Sequence, residues 1–262
     1  TLGKLERHEG HLLNWYDIET LAPLRPRYVS TVDSGNLLGA LWTLDQGLEA
    51  LMHTEVLDMK AFAGLQDAGG ALLQAIEEEK PSSVDTHVLR ELLATWDSPP
   101  HRVVDAIRLL RLAKHGVDEL AVMARASAAG DVVYWTNQMQ SQLDAWLNTA
   151  DRYLAWIEVL GEKTDAEVAL LDPMAMPALR QALSHAPSLQ DLAGGNLAWI
   201  EFLEGIREKP SSNVSGIASW IDRVFKAFDD SKWLAGEMLA SGERLVQAGR
   251  ALSESMNMRF LY

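Results

Sequence analysis

Side chains that could bind a sugar are concentrated near the N-terminus, in residues 11–36. This stretch is rich in aromatic, carboxylate, amide and guanidinium groups, and its candidate binding residues are His11, Trp15, Tyr16, Asp17, Arg27, Tyr28, Asp33, Ser34 and Asn36. Sugar sites combine flat aromatic faces, which cover the apolar side of a pyranose ring, with polar groups that bond its hydroxyls. The residue types in this stretch therefore predict a carbohydrate site.

Two carboxylates in the stretch could act on a glycosidic bond. Asp17 and Asp33 are the obvious pair, if one donates a proton while the other attacks the sugar or activates water. A structural alternative assigns them no chemistry: Asp33 and Ser34 cap the following helix, and Trp15 and Tyr28 pack beneath it. The sequence leaves both interpretations open.

Metal and cofactor chemistry finds little support in the sequence. His8 and His11 lack the spacing that places two imidazoles on one face of a helix. The chain contains no cysteine, which excludes thiolate ligands and disulfides. Gly194 and Gly195 are not followed by the lysine and hydroxyl residue of a phosphate-binding loop. We predict neither a metal ion nor a cofactor.

The elements that must position the N-terminal stretch are predicted to be helices. Apolar residues recur every three or four positions along two long stripes, which indicates amphipathic helices with one wet face. The first stripe contains Val103, Ile107, Leu110, Ala113, Val117, Leu120 and Ala124, and the second contains Trp135, Met139, Leu143, Trp146, Ala150, Tyr153, Ile157 and Leu160. Helix breakers beside capping residues separate such stripes along the chain. We therefore predict an all-α fold with long helices.

The candidate stretch itself does not follow this helical pattern. Residues 11–17 form a short run with aromatic side chains, and residues 28–32 are rich in β-branched side chains. Both features favour extended strands or an ordered loop. Residues 33–36 (DSGN) offer capping side chains just ahead of the first long helix. The sequence thus predicts a short extended segment that leads into a helical array.

Composition narrows the classes of partner. The 262-residue chain has a formal charge of −14, with no dense cluster of Lys and Arg, so it would repel the phosphate backbone of nucleic acid. No apolar run approaches the roughly 20 residues that a membrane-spanning helix needs. We predict a globular segment that does not bind nucleic acid and does not insert into a membrane.

Two motif blocks resemble those of cyclic β-1,2-glucan synthases. Residues 10–17 (GHLLNWYD) and 26–37 (PRYVSTVDSGNL) closely resemble one block of that family, and residues 256–262 (MNMRFLY) resemble the start of its next block. Residues 38–255 resemble the long, variable helical stretch between the blocks. The specific motifs thus cover about forty residues, although the layout of the whole chain is similar.

The resemblance implies a domain plan and a location. Residues 1–37 would carry the motif segment of a glucoamylase-like transglycosylation domain, residues 38–255 a helical insert or array, and residues 256–262 a truncated block. The long antiparallel helices would then be part of an α/α-barrel or a helical array. Its partners would be β-1,2-glucan and the flanking domains of the same polypeptide, at the cytoplasmic face of the bacterial inner membrane.

The same resemblance also shifts the expected role of the carboxylates. The family's catalytic carboxylates lie beyond the block that begins at residue 256, so Asp17 and Asp33 are expected to position substrate and the chain alone to be inactive. Leu12 and Leu13 replace an aromatic pair of the family, which alters one packing or stacking contact. Two other functions remain: a helical spacer or interaction module between catalytic domains, and a complete endo-β-1,2-glucanase that uses Asp17 and Asp33.

Overall fold

The structure is a computed structural model that describes residues 2–81, 83–127, 129–163, 167, 173–208 and 216–261. It divides into two compact units. The first unit combines the chain's two end regions, Thr1–Thr54 and Glu237–Tyr262, and the second contains the residues between them, Glu55–Gly236. Each unit is described by itself below.

Helices dominate the described residues and confirm the predicted all-α class. The bounds are α1 Thr31–His53, α2 Lys60–Glu79, α3 Thr86–Trp96, α4 Val103–Ser127, α5 Gly130–Tyr153, α6 Ala155–Leu160, α7 Met176–Ser184, α8 Leu189–Gly194, α9 Ala198–Arg207 and α10 Ile217–Ser255. Two strands of two residues each, β1 Arg7–His8 and β2 His11–Leu12, pair as an antiparallel hairpin.

None of the helices within the described ranges is both long enough and apolar enough to cross a membrane.

The core of the second unit is built by the predicted apolar stripes. Every member of the α4 stripe, from Val103 to Ala124, is buried, and α5 packs against both α2 and α4. The second stripe continues through two helices, because α5 ends and α6 begins on either side of Leu154. The guanidinium of Arg111 on α4 donates to both carboxylate oxygens of Glu158, which ties α4 to α6. Burial of these stripes is the main stabilising contribution to this unit.

The first unit contains a β hairpin whose turn lies close to another part of the backbone. In the β hairpin, Glu9 and Gly10 both have positive φ, at 52° and 80°, as a tight two-residue turn requires. The turn lies against the end of α10: a Cβ added to Gly10 would stand 1.7 Å from the carbonyl oxygen of Ser255. Gly10 is therefore required both by its backbone conformation and by the close approach of another backbone.

The first long helix begins earlier than the sequence indicated. Residues 33–36 were expected to cap it, but the N-cap is Ser30, whose hydroxyl oxygen accepts a hydrogen bond from the N–H of Asp33 at 3.2 Å. Thr31 and Val32, expected to be extended, form the first helical turn. Their branched side chains are tolerated there because no preceding turn crowds them. The prediction of the helix start was wrong for this reason.

Substitution of Gly10 by alanine is expected to destabilise the first unit. The variant must shift the Ser255 carbonyl and hold a strained positive φ, which costs about 1–3 kcal/mol or more. Gly39→Ala is the matched control, because a Cβ at this position of α1 meets nothing within 4 Å. The control should stabilise the helix by about 0.5–1 kcal/mol. Urea unfolding followed by circular dichroism measures both, and equal effects of the two substitutions would contradict the assignment.

Candidate functional site

His11 anchors the candidate segment from inside the first unit. Its side chain is fully buried, and its Nε2 lies 3.0 Å from the carbonyl oxygen of Asn257. Because a carbonyl only accepts hydrogen bonds, Nε2 is the donor in this contact. Asn257 also donates its backbone N–H to the Glu9 carbonyl at 2.9 Å. These bonds fasten the hairpin to the residues that follow α10.

Tyr16 and the backbone around it give the loop after the hairpin its shape. The Tyr16 hydroxyl accepts a hydrogen bond from the Leu13 N–H and donates one to the Glu6 carbonyl, both at 2.7 Å. Leu24 donates to the carbonyl of Trp15 at 3.0 Å, so the chain folds back across this loop. The hydroxyl of Tyr16 is thus engaged within the protein and serves to position its neighbours.

The aromatic rings of Trp15 and Tyr28 lie side by side at the surface. Their centroids are 5.8 Å apart with an interplanar angle of 52°, and the two residues are 50% and 45% exposed. The N–H of Asn14 donates to the carbonyl of Tyr28 at 2.9 Å, which fixes the two chain segments next to each other. Half-exposed rings held this way can accept an apolar ligand face without rearrangement.

Two cavities in this segment share Leu13, and Tyr28 lines the larger of the two. The larger, of about 420 Å³, is lined by Arg27 and Tyr28 together with His8, Val29 and Phe260. The Arg27 guanidinium forms an ion pair with the carboxylate of Glu6 at its edge. Arg27 is exposed, so it can present its remaining N–H groups to a ligand.

The smaller cavity, of about 270 Å³, lies at the start of α1 and contains Asp33, with Asn14 and Ser30 as polar neighbours. Asp33 is exposed, and Asn36 is exposed three residues later on the same face of the helix. Ser34 also lines the cavity but is only 5% exposed. The first turns of α1 thus present a carboxylate and an amide to solvent.

Asp17 forms a local turn and stays ionised. Its Oδ1 accepts hydrogen bonds from the Thr20 N–H at 2.7 Å, the Thr20 hydroxyl at 2.8 Å and the Glu19 N–H at 3.0 Å. These donors, the Thr20 backbone N–H first among them, hold the pKa of the Asp17 carboxyl below its ordinary value near 3.8. A general acid needs the opposite shift. The environment of Asp17 therefore suits a permanent carboxylate that shapes the loop.

The structure groups most of the predicted residues but gives them different environments. Arg27, Tyr28 and Asp33 are exposed and line the two cavities. Trp15 and Asn36 are exposed but line neither cavity, and His11 and Ser34 are buried.

Sequence reasoning missed four residues at this site: Glu6, Asn14, Ser30 and Phe260. Asn14 and Ser30 lie inside the motif runs and could have been found by their residue types. Glu6 and Phe260 reach the site through contacts that the sequence does not reveal.

Among the described residues, no group of three or more His, Cys, Asp and Glu side chains is arranged to hold a metal ion.

The lowered pKa of Asp17 predicts an acid-sensitive loop. Because the folded pKa lies below the ordinary value of 3.8, the contribution of the carboxylate is complete above that pH and is lost as the pH falls through the folded pKa. Protection of the Thr20 amide from hydrogen exchange should decline in that acidic range. In Asp17→Asn, which keeps the acceptor oxygen, this decline should vanish. In Asp17→Ala, protection should already be low at neutral pH. An unchanged acid profile in Asp17→Asn would contradict the assignment.

Comparison with known proteins finds a similarity to a glucan synthase. The cyclic β-(1,2)-glucan synthase NdvB of Rhizobium meliloti (strain 1021) is 29% identical to it over 179 residues. The aligned region covers 62% of this chain and 6% of the relative, so the chain spans only a small part of the length of the synthase it matches. No family model matches the chain. The similarity supports a relation to the cyclic β-1,2-glucan synthase family. It does not identify which domain of such a synthase the chain corresponds to.

Proposed function

We propose that this chain provides a glucan-contact surface in an enzyme that makes cyclic β-1,2-glucan. The observation that carries the proposal is the half-exposed pair of Trp15 and Tyr28 rings, of which Tyr28 lines a cavity that also contains the exposed Arg27. Its motif residues resemble the synthase family, and the related NdvB protein is described as a cyclic β-(1,2)-glucan synthase. In such an enzyme the chain would lie in the transglycosylation domain, at the cytoplasmic face of the inner membrane.

Within the proposed site the residues divide into contact and positioning roles. Trp15 and Tyr28 would cover the apolar face of a glucosyl ring, and Arg27, Asp33 and Asn36 would bond its hydroxyls. His11, Tyr16, Asp17 and Ser34 would hold these groups in place, because their polar atoms are buried or engaged by protein donors and acceptors. This division refines the set of nine binding residues predicted from the sequence.

Catalysis is assigned to carboxylates outside this chain. The lowered pKa of Asp17 supports this assignment, because that carboxyl is poorly suited to proton donation. Incubation of the isolated chain with linear β-1,2-glucan should therefore yield neither cyclic nor shortened product. Either product would favour the endo-β-1,2-glucanase alternative, in which Asp17 and Asp33 perform the chemistry.

Removal of either exposed ring should weaken glucan binding. Trp15→Ala and Tyr28→Ala each delete an aromatic face whose burial by a ligand contributes about 1.5–3 kcal/mol, which corresponds to roughly tenfold or greater loss of affinity. Asp33→Ala should weaken binding through lost hydrogen bonds. Titration calorimetry with a β-1,2-linked gluco-oligosaccharide measures these effects.

Trp233→Ala is the matched control for the ring substitutions, because Trp233 is 67% exposed on α10 and lies outside the candidate segment. It should bind like the parent. If Trp15→Ala, Tyr28→Ala and Asp33→Ala also bind like the parent, residues 11–36 are scaffold and the proposed function is wrong.

A second candidate function, an interaction module for flanking domains, is favoured by the apolar surface of the first unit. On α1, Val32, Trp42, Leu44 and Leu51 are 68%, 61%, 51% and 64% exposed. Leu44 and Leu51 are seven residues apart and therefore share one side of α1, and exposed apolar groups that lie together mark interaction surfaces or aggregation hazards. The occupant we propose is another region of the same, longer polypeptide, because the aligned part of the NdvB protein is 6% of its length. This function is compatible with the glucan-contact role.

Polar substitution on α1 tests the interaction surface. Leu44→Gln combined with Leu51→Gln should reduce concentration-dependent association of the isolated chain, because both side chains are solvent-exposed on the same side of α1. Helix content should be unchanged, since neither side chain is buried. Light scattering and circular dichroism measure the two quantities. A discrete dimer that the double substitution abolishes would assign the surface to a second copy of the chain instead, and unchanged association would contradict the proposed surface.

A further inference from the structure

A third half-exposed ring of the first unit lies at the candidate site and has no role in the proposed function. Phe260 belongs to the short 3₁₀ helix Met258–Leu261 and is 45% exposed, as much as Tyr28. Both residues line the larger cavity, together with His8 and Arg27. Single exposed apolar residues are common on protein surfaces, but a ring that lines a cavity beside another ring and polar groups indicates a ligand site.

Backbone hydrogen bonds fix the position of Phe260. Its N–H donates to the carbonyl of Asn257 at 3.0 Å, and the N–H of Asn257 donates to the carbonyl of Glu9 in the hairpin turn at 2.9 Å. The carbonyl of Asn257 also accepts from Nε2 of His11. The residue that anchors His11 therefore anchors Phe260 as well, and the ring is held in place before a ligand arrives.

Two histidines support the Phe260 ring from within the protein. His8 meets it edge-on, with centroids 5.0 Å apart and an interplanar angle of 69°, and the His11 ring lies 6.1 Å away at 33°. His11 is fully buried, so the side of Phe260 that faces it is turned toward the interior. The exposed surface of Phe260 therefore lies on the opposite side of the ring, where a ligand can cover it.

Phe260 and Tyr28 belong to separate ring clusters. Tyr28 contacts Trp15, whereas the ring partners of Phe260 are His8 and His11. Among the described residues no ring contact joins Tyr28 to Phe260, although both line one cavity. The two rings thus leave space between them, and each can offer its apolar surface to a different part of one ligand.

The polar groups of this cavity suit a neutral ligand. Within the described parts of the chain, Arg27 is the one Lys or Arg side chain that lines it, and its guanidinium is already paired with the carboxylate of Glu6. An anionic group would have to compete with that carboxylate. The remaining N–H groups of Arg27 and the imidazole of His8 can still bond hydroxyls.

The cavity has a size that fits two linked sugar rings. At about 420 Å³ it falls in the range of about 300–1,000 Å³ in which proteins bury drug-sized ligands, and a disaccharide is a ligand of that size. Trp15 contacts Tyr28 without lining the cavity itself, so it extends the ring surface beyond the cavity.

We propose that Phe260 is a second sugar-contact ring and that the site binds two consecutive glucosyl units of a glucan. The Trp15 and Tyr28 pair covers one unit, Phe260 covers the next, and Arg27 and His8 bond hydroxyls of the two. The identity of the ligand as a β-1,2-glucan rests on the proposed function. The inference adds the length of the bound ligand and a contact residue outside the candidate segment.

The length of the ligand gives the first test. In titration calorimetry of the full chain, the β-1,2-linked disaccharide of glucose should bind about tenfold or more tightly than methyl β-glucoside, because only the disaccharide covers both ring surfaces. In Phe260→Ala the disaccharide should bind about tenfold more weakly, and its preference over the monosaccharide should be lost. Equal affinity of the parent for the two sugars would overturn the proposal.

Matched variants separate sugar contact from a structural role of Phe260. Phe260→Leu keeps apolar bulk beside His8 and His11 but lacks a flat face, so it should also lose the disaccharide preference, whereas Phe260→Tyr keeps the ring and should retain it. Leu245→Ala, at a 57% exposed position of α10, should bind both sugars like the parent. Circular dichroism measures the helix content of each variant. If Phe260→Leu retains both the helix content and the preference of the parent, the proposal is overturned.

The outcomes distinguish this inference from the proposed function. Weaker disaccharide binding in Phe260→Ala, Trp15→Ala and Tyr28→Ala supports both. Weaker binding in Trp15→Ala and Tyr28→Ala alone overturns the inference and leaves the proposed function in place. Weaker binding in Phe260→Ala alone contradicts the proposed function and overturns the arrangement of two ring surfaces, and parent-like binding in all three variants overturns both.

Discussion

The hydrogen bonds between the β hairpin and Asn257 are the constraint on which the candidate site depends. They join His11 and Glu9 to a residue 246 positions away from His11, and Gly10 permits the approach by presenting no Cβ to Ser255. The loop that follows the hairpin buries few large apolar side chains, Leu13 being one of them, so polar contacts must fix its course. The entropic cost of closing a loop grows only slowly with the length of the loop. Hydrogen bonds between residues this far apart in the sequence are therefore compatible with the many residues of the second unit between them.

The packed helices could be predicted from the sequence because their signal is local. Val103 and Ile107 on α4 and Met139 and Leu143 on α5 recur at helical spacing, and all four are buried. The start of α1 was misplaced because β-branched residues were weighed by propensity, although Ser30 is a residue type that caps helices as well as those after it. The predicted domain boundaries at residues 37 and 255 stay predictions. They follow motif blocks of a family, whereas the two units are defined by how compactly the chain packs.

The environments of the candidate residues could not be predicted in the same way. Whether His11 contacts a ligand or the protein is decided by Asn257, which the sequence places at the opposite end of the chain. Asp17 and Asp33 have the same side chain but different surroundings: the first is enclosed by three local donors, and the second stands exposed at the start of a helix. A residue list gives the types available to a site, and non-local contacts decide which of them reach a ligand.

Burial determines what an aromatic residue can contribute in each unit. Trp15 and Tyr28 keep about half of their surface exposed, so a ligand can cover a ring face and remove apolar area from water. Trp156 and Trp199 have lost that option because each covers the other. The Trp199 N–H is also buried and has no hydrogen-bond partner among the described residues, so it presents no surface to a ligand. Aromatic rings thus offer stacking area to a ligand in the first unit, whereas Trp156 and Trp199 fill the hydrophobic core of the second.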